Sequence, residues 1–332
     1  MTPRSRILST GAYLPSQVVG NDELAALVAE PAEQIARRTG IVQRHFARRG
    51  EAASDLALLA SRRALQAAGR CAHDIDCVVF ATHTPDYAFP GSGCVLAAKL
   101  GLVGVPALDV RNQCSGFLYG LSLADHFVRL GTYATVLVVA AEVMSAGMEF
   151  SPRGGRAATL FSDGAGAALV VAEPRPDRGI LGAGLHADGR FARSLMVEAP
   201  GSSRHGPLRA ADLEEGRHLP VVGGAEVFEE GLRRALESLS EALETCRLDA
   251  QDVKLFVPNH GLARLVPLLA RRLGIPRERI YTDQGERGNP TGASIPIALD
   301  TVIRAPGLAD GDTLVLFAFG SGFSWGWVVV RY

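Results

Sequence analysis

Ser54–His83 reads SDLALLASRRALQAAGRCAHDIDCVVFATH. Leucine and alanine recur at helical spacing in its first half, predicting an amphipathic helix. Its end, DCVVFAT, is a continuous apolar run of the kind buried on both faces of a sheet. The same grammar returns at Glu226–His260, EVFEEGLRRALESLSEALETCRLDAQDVKLFVPNH. Both helices carry Arg-Arg-Ala-Leu, and an aspartate shortly precedes both strands. A second pairing links TVLVVAAEV and FSDGAGAALVV with DTLVLFAFGSG and FSWGWVVV. Each is a buried strand, a glycine-rich corner and another strand. Similarity at so long a period predicts a duplicated domain rather than a solenoid of short units. The proline- and charge-rich EPRPDR, Glu173–Arg178, marks the join, giving halves 1–173 and 174–332.

The 332 residues are 47% apolar, enough to bury a large core. A formal net charge of -1 gives no case for nucleic acid. No apolar run approaches the ~18 residues of a membrane span, and MTPRSRILSTGAYLP at the start lacks the apolar core of a signal peptide. Cys71, Cys77, Cys94, Cys114 and Cys246 form neither a disulfide framework nor a C-x-x-C pair, so a reducing cytoplasm is expected. The eight histidines show no metal-ligand spacing, and no metal site is expected. Lys99 and Lys254 are the only lysines among 34 basic residues. The arginines that make up the rest suit phosphate recognition.

DVRNQCSGF, Asp109–Phe117, sets Cys114 after a short apolar run and before a long amphipathic stretch. Pro106–Val110 reads as a short buried strand. Beyond the cysteine, Phe117, Leu118, Leu121, Ala124, Phe127, Val128 and Leu130 share one helical face. At such a helix start, unpaired N–H groups and the helix dipole favour a thiolate, lowering a free-thiol pKa of ~8.5 toward neutrality. The alternative is a small buried apolar side chain, the usual state of a free cysteine. Ser162–Ala167, SDGAGA, lacks the Lys-Ser/Thr of a phosphate loop and reads as a tight turn between strands. Phe319–Gly326, FGSGFSWG, is either a structural corner or a segment exposing N–H groups beside a reaction centre.

Four stretches in order resemble the β-ketoacyl-ACP synthase III family of the thiolase superfamily. They are DVRNQCSGFLYGL around Cys114, LFSDGAGAALV after Arg156, RGNPTGASIPIALD around Asn289, and FAFGSGFSWG near the C-terminus. The resemblance implies an α/β, thiolase-like fold: two similar halves with mixed five-stranded sheets layered between helices, αβαβα. It implies a homodimer in which Phe89, in THTPDYAFPGSGC, reaches the partner's acyl pocket. It implies no cofactor and two substrates. An acyl-CoA passes its acyl group to Cys114, and malonyl-ACP or malonyl-CoA condenses with that group as carbon dioxide leaves. The backbone N–H groups of Cys114 and Ser321 match the family's oxyanion donors, Ser321 standing where glycine is usual. The enolate of the second half-reaction wants a His N–H and an Asn side-chain N–H. Asn289 fits the latter role, its alternative being a turn asparagine. Arg38, Arg153, Arg156 and Arg264 are candidates for CoA or carrier-protein binding.

Three departures bear on function. Gln34 stands where an aromatic residue helps hold the CoA adenine, and Glu229 where several members carry a lysine facing the carrier protein. The third lies in VPNHG, Val257–Gly261, where counting back from Asn289 places Asn259, not His260, at the family's histidine. A shift of one residue along a strand turns a side chain to the opposite face. We expect His260 as the donor nonetheless, turned inward with the help of Gly261, because enolate chemistry gains from an imidazole. Asn259 is the alternative. The expected activity is decarboxylative condensation, in fatty-acid synthesis or, as RNQCSG suggests, in a specialised pathway. The competing reading is an acyltransferase on the same fold, passing the Cys114 acyl group to an oxygen or nitrogen acceptor without decarboxylation. A silent partner subunit would have lost the nucleophile, and Cys114 is present.

Overall fold

Helix, short turn and buried strand follow one another twice along this chain. In the computed structural model, which describes residues 4–204 and 206–332, the first half holds strands β1 (Arg4–Tyr13), β2 (Cys77–Ala81), β3 (Ala107–Val110), β4 (Thr135–Glu142) and β5 (Gly164–Glu173). With them come helices α1 (Ala53–Ala68), α2 (Ser92–Leu100) and α3 (Gly116–Arg129). The second half holds β6 (Gly179–Ala187), β7 (Val253–Pro258), β8 (Thr313–Gly320) and β9 (Ser324–Arg331). Its main helices are α4 (Ala225–Cys246), α5 (Val266–Leu273) and α6 (Ser294–Arg304). The repeat extends to hydrogen bonds. Cys71 N–H donates to Asp74 Oδ2 at 2.8 Å, and Asp249 N–H to Asp252 Oδ2 at 2.9 Å. Each bond closes a 3-10 turn that feeds a buried strand, which explains the aspartate before each one.

The first sheet runs β1-β5-β4-β2-β3 and the second β6-β9-β8-β7. In each, a parallel pair, β2 with β4 or β7 with β8, continues into antiparallel neighbours. Five strands are present only in the first sheet. Beside β7 the fifth is reduced to one parallel bridge, Phe256 to Ile280, because Pro276 and the 3-10 turn Arg277–Arg279 leave little extended chain to pair.

Three local expectations are corrected. β3 is not a buried strand: it sits at the sheet edge, half-exposed, with only β2 beside it. Leu130 is exposed because it lies past the last turn of α3, at the C-cap. SDGAGA is no turn, since Gly164–Ala167 already belong to β5.

α3 and α6 form the middle layer, burying Phe117, Leu118, Leu121, Ile295, Ile297 and Leu299 against apolar residues of both sheets. α1 packs outside the first sheet and α4 with α5 outside the second. Both middle helices are tied to β1 in the same manner. Ser5 Oγ donates to Asp125 Oδ1 at 2.7 Å, and Thr10 Oγ1 to Asp300 Oδ1 at 2.8 Å. Each aspartate also pairs with the arginine four residues on, Arg129 or Arg304. Two similar sheets thereby share one helical layer, and the ends of β3, β7 and β8 meet on one side of it.

Candidate active site

Cys114 lies in the 3-10 turn Gln113–Ser115 between β3 and α3. Gln113 adopts φ 45°, a left-handed conformation that costs a non-glycine residue free energy and is tolerated where the turn must aim a side chain. β8 ends against the cysteine. A Cβ at Gly320 would stand 2.9 Å from Cys114 Cβ and 3.3 Å from Sγ, so only glycine lets the two segments touch.

A cavity of about 460 Å³ reaches this thiol. Its buried end holds Cys114, Asn259, Asn289, Phe319 and Gly320; Leu195, Val227, Phe228 and Leu262 form apolar wall, and Arg38, Arg156 and Arg264 also line it. Asn259 follows β7 in extended conformation, φ -66° and ψ 151°, and its N–H donates to Phe317 O at 3.0 Å. Its Oδ1 accepts from Phe319 N–H at 3.1 Å. Asn289 Oδ1 accepts from Thr291 N–H at 3.0 Å. Both carboxamides are thus oriented by their hydrogen bonds, with Nδ2 left to donate. Asn259 Nδ2 is buried without a partner among the described residues. The two amides converge: a point at the Cβ position of Gly261 lies 3.0 Å from Asn259 Nδ2 and 3.7 Å from Asn289 Nδ2.

His260 does not join them. It begins a 3-10 turn, and its buried ring leaves on the other side, Nδ1 donating to Gly288 O at 2.9 Å and Nε2 lying 2.6 Å from Asp283 Oδ1. Gly261 does not swing the imidazole inward; its missing side chain leaves room for the two amides instead. Arg153 is also absent from the cavity wall, being paired with Glu149 at 2.5 Å and donating to Glu214 O at 2.8 Å. Arg38 reaches the wall while bound to Glu30 at 2.6 Å. Arg156 and Arg264, both exposed, have no ion pair among the described residues. Ser321 follows Gly320, its hydroxyl donating to Leu195 O. Phe89 lies at the surface, 86% exposed.

The thiol is not poised as the sequence suggests. Burial, reinforced by the Glu142 carboxylate, pushes Cys114 up to about 12 and outweighs the N–H contact that favours the thiolate. Glu142 is a site residue the sequence reading missed. Fully buried at the end of β4, it accepts from Thr84 Oγ1 at 2.7 Å and lies 2.8 Å from His83 Nδ1. A lone carboxylate closing the apolar run TVLVVAAE was the available signal. Asp283 was missed as well, although its spacing to Arg287, four residues on and 2.9 Å away, marks a pair. Among the described residues no cluster of three or more His, Cys, Asp or Glu could hold a metal, and no helix is long and apolar enough to cross a membrane.

Comparison with known proteins bears directly on this geometry. The family model for 3-oxoacyl-[acyl-carrier-protein] synthase III matches residues 108–189, and the model of its C-terminal part matches residues 243–332. The β-ketoacyl-[acyl-carrier-protein] synthase III of Methylococcus capsulatus is 39% identical over 332 residues, all of both chains. The chain belongs to the β-ketoacyl-ACP synthase III family. Two solved structures extend the likeness to the whole fold. The 3-oxoacyl-[acyl-carrier-protein] synthase III of Aquifex aeolicus superposes with a TM-score of 0.90 at 32% identity, over 99% of this chain and 100% of that one. The priming β-ketosynthase of the R1128 polyketide pathway gives 0.89 at 31% identity, over 98% of this chain and 96% of that one. This synthase III fold is therefore a thiolase-like αβαβα arrangement, and its members are condensing enzymes.

A raised thiol has a direct consequence for this synthase. Below its pKa the thiolate fraction grows about tenfold per pH unit. Alkylation of Cys114 by iodoacetamide, followed by peptide mass spectrometry, should climb at that rate from pH 7 to pH 9. A plateau near neutrality would contradict the burial effect.

Proposed function

We propose that the enzyme loads an acyl group from a CoA thioester onto Cys114 and condenses it with a malonyl thioester. The observation that carries this reading is the composition of the cavity wall. Beyond the thiol its polar side chains are Asn259, Asn289, Thr39 and arginines, with no carboxylate or imidazole among them. Acyl transfer to an alcohol or amine needs a base to take the acceptor's proton. Decarboxylation needs none, because the electron pair left as carbon dioxide departs is itself the nucleophile.

In the first half-reaction Cys114 sulfur attacks the thioester carbonyl, and the Cys114 and Ser321 N–H groups receive the oxyanion. The donor's C–S bond breaks, the donor leaving as a thiol with the Cys114 proton. In the second, the malonyl carbon–carboxylate bond breaks and its electrons pass into an enolate. Asn259 Nδ2 and Asn289 Nδ2 donate to the enolate oxygen. The carbanion then attacks the acyl carbon on Cys114, that C–S bond breaks with its electrons on sulfur, and the released thiolate takes a proton from water to restore the thiol. Residues 1–173 supply the nucleophile and 174–332 the enolate donors. Asn259 takes the place we expected for His260, since the chain brings Asn259 and not the imidazole to the thiol.

Arg156, Arg264 and Arg38 would receive the phosphates of CoA or an acyl carrier protein, malonyl-ACP or malonyl-CoA being the extender. No organic cofactor or metal has a part in these steps. The five cysteines are free, in keeping with a cytoplasmic enzyme. Replacing Asn259 or Asn289 by Ala should each lower condensation by about 10² to 10³, the usual loss for one such donor, while acyl labelling of Cys114 persists. Unchanged condensation in both variants would remove the amides from the mechanism. Abolition of labelling by Cys114→Ala is required, and labelling that maps to another cysteine would overturn the assignment.

The enzyme acts as a homodimer in this reading. Phe89, Tyr87 and Val103, in the segments flanking α2, are 86%, 60% and 94% exposed, apolar area that a second copy would cover. Phe89 would then close the partner's acyl pocket. Light scattering at micromolar concentration should give a dimer, and Phe89→Ala should shift acyl-chain preference. A monomer contradicts both.

A further inference from the structure

His260 is a buried side chain beside the site that the proposed reaction leaves unused. It is 2% exposed. Nδ1 faces a carbonyl, that of Gly288, and so must donate. Nε2 faces the Asp283 carboxylate. Burial opposes that carboxylate's charge, but His260, Arg287 and Tyr281 together hold its pKa below the ordinary range, so it is ionised. Arg287 Nε and Tyr281 Oη each lie 2.9 Å from Asp283 Oδ2. The ring is therefore held at Nδ1 by a hydrogen bond, while Nε2 lies against the Asp283 carboxylate without hydrogen-bond geometry, and neither nitrogen lines the cavity that holds the thiol. A ring outside the cavity wall does not touch substrate there, which leaves it a mechanical role.

Its neighbours define that role. Along the chain His260 follows Asn259. In space its ring holds the peptide carbonyl that immediately precedes Asn289. A second connection runs through the backbone. His260 N–H donates to Ser294 Oγ at 3.3 Å, Ser294 Oγ donates to Thr291 O at 2.7 Å, and Thr291 N–H holds Asn289 Oδ1 at 3.0 Å. Gly288, at φ 68°, lets the loop present its carbonyl to the ring.

We propose that His260 is a positioning residue that sets the separation of the Asn259 and Asn289 amides, by clamping the Gly288 carbonyl from a backbone continuous with Asn259. The proposal rests on the two-amide reading above. An enolate oxygen needs both donors at hydrogen-bond distance together, and a displacement near 1 Å can cost about 100-fold in rate.

Asn and Gln substitutions separate the two ring contacts. An Asn side chain places its Nδ2 near the position of the imidazole Nδ1, and a Gln side chain places its Nε2 near that of the imidazole Nε2. His260→Asn therefore keeps the donor to Gly288 O, whereas His260→Gln keeps only the contact with Asp283. Purified variants should be assayed for condensation kcat, for KM of the malonyl thioester, for acyl labelling of Cys114 and for thermal unfolding. His260→Ala and His260→Gln should lose about 10- to 100-fold in condensation kcat, with KM and labelling within about twofold of the parent. His260→Asn should recover to within about threefold of the parent.

Equal losses in the Asn and Gln variants, or losses that fall equally on labelling and condensation, would show a merely structural histidine and overturn the proposal. Full activity in all three would overturn it too. If His260→Ala does not fold, the Asn and Gln pair still decides. Asn289→Ala keeps the inference distinct from the reading beneath it. Full condensation by that variant defeats the two-amide mechanism itself, whereas a crippled Asn289→Ala beside indistinguishable Asn and Gln variants defeats only the clamp.

Discussion

The contact on which this site depends is the one between Cys114 and Gly320. The cysteine, the proposed nucleophile, belongs to the first half of the chain and the glycine to the second, and they touch because both sheets rest on the same helical layer. Asp125 of α3 and Asp300 of α6 are bound to one strand, β1, so the two halves cannot slide independently. Asn259 and Asn289 then approach the thiol from the second half with their orientations already fixed by backbone partners. Two similar halves thus share a single asymmetric site: the turn between β3 and α3 carries the cysteine, while the end of β7 and the loop before α6 carry the amide donors.

The chemistry follows from what surrounds the thiol. Burial and a neighbouring carboxylate hold Cys114 protonated, so that in the proposed reaction acyl loading depends on thiol ionisation. Carboxamides donate hydrogen bonds but do not ionise at ordinary pH. Such a site stabilises oxyanions and leaves the generation of the carbanion to the departure of carbon dioxide. The Asp283–Arg287 pair keeps its charges away from the cavity, beside the His260 ring that holds the loop carrying Asn289.

Much of this was legible in the sequence where local periodicity is strong. The two copies of helix, turn and strand could be read from Arg-Arg-Ala-Leu and the apolar runs, and the turn between strand and helix at Cys114 was legible too. What depended on tertiary context could not. The apolar residues of Ala107–Val110 do not reveal that the strand lies at an edge, nor does Ile280 reveal that its pairing stops after one bridge. The helix dipole at Cys114 is a local feature, but the burial that outweighs it is not. His260 is the instructive case. The one-residue shift was visible, and the rule that it reverses the side-chain face was the better guide, whereas a preference for imidazole chemistry pointed the wrong way. Asn259 stays extended beyond Pro258 and lines the cavity that holds the thiol, and the ring of the next residue turns away toward Gly288 and Asp283.

The central claim is that a pair of neutral amides, with no titrating base, stabilises the enolate. Carbon dioxide release from a malonyl thioester by the Cys114→Ala variant isolates that step from condensation and removes the thiol's own titration. Measured from pH 6 to pH 8, its rate should be flat. An inflection near 6.5, the range of an ordinary imidazole, would place a histidine in the step and contradict the account.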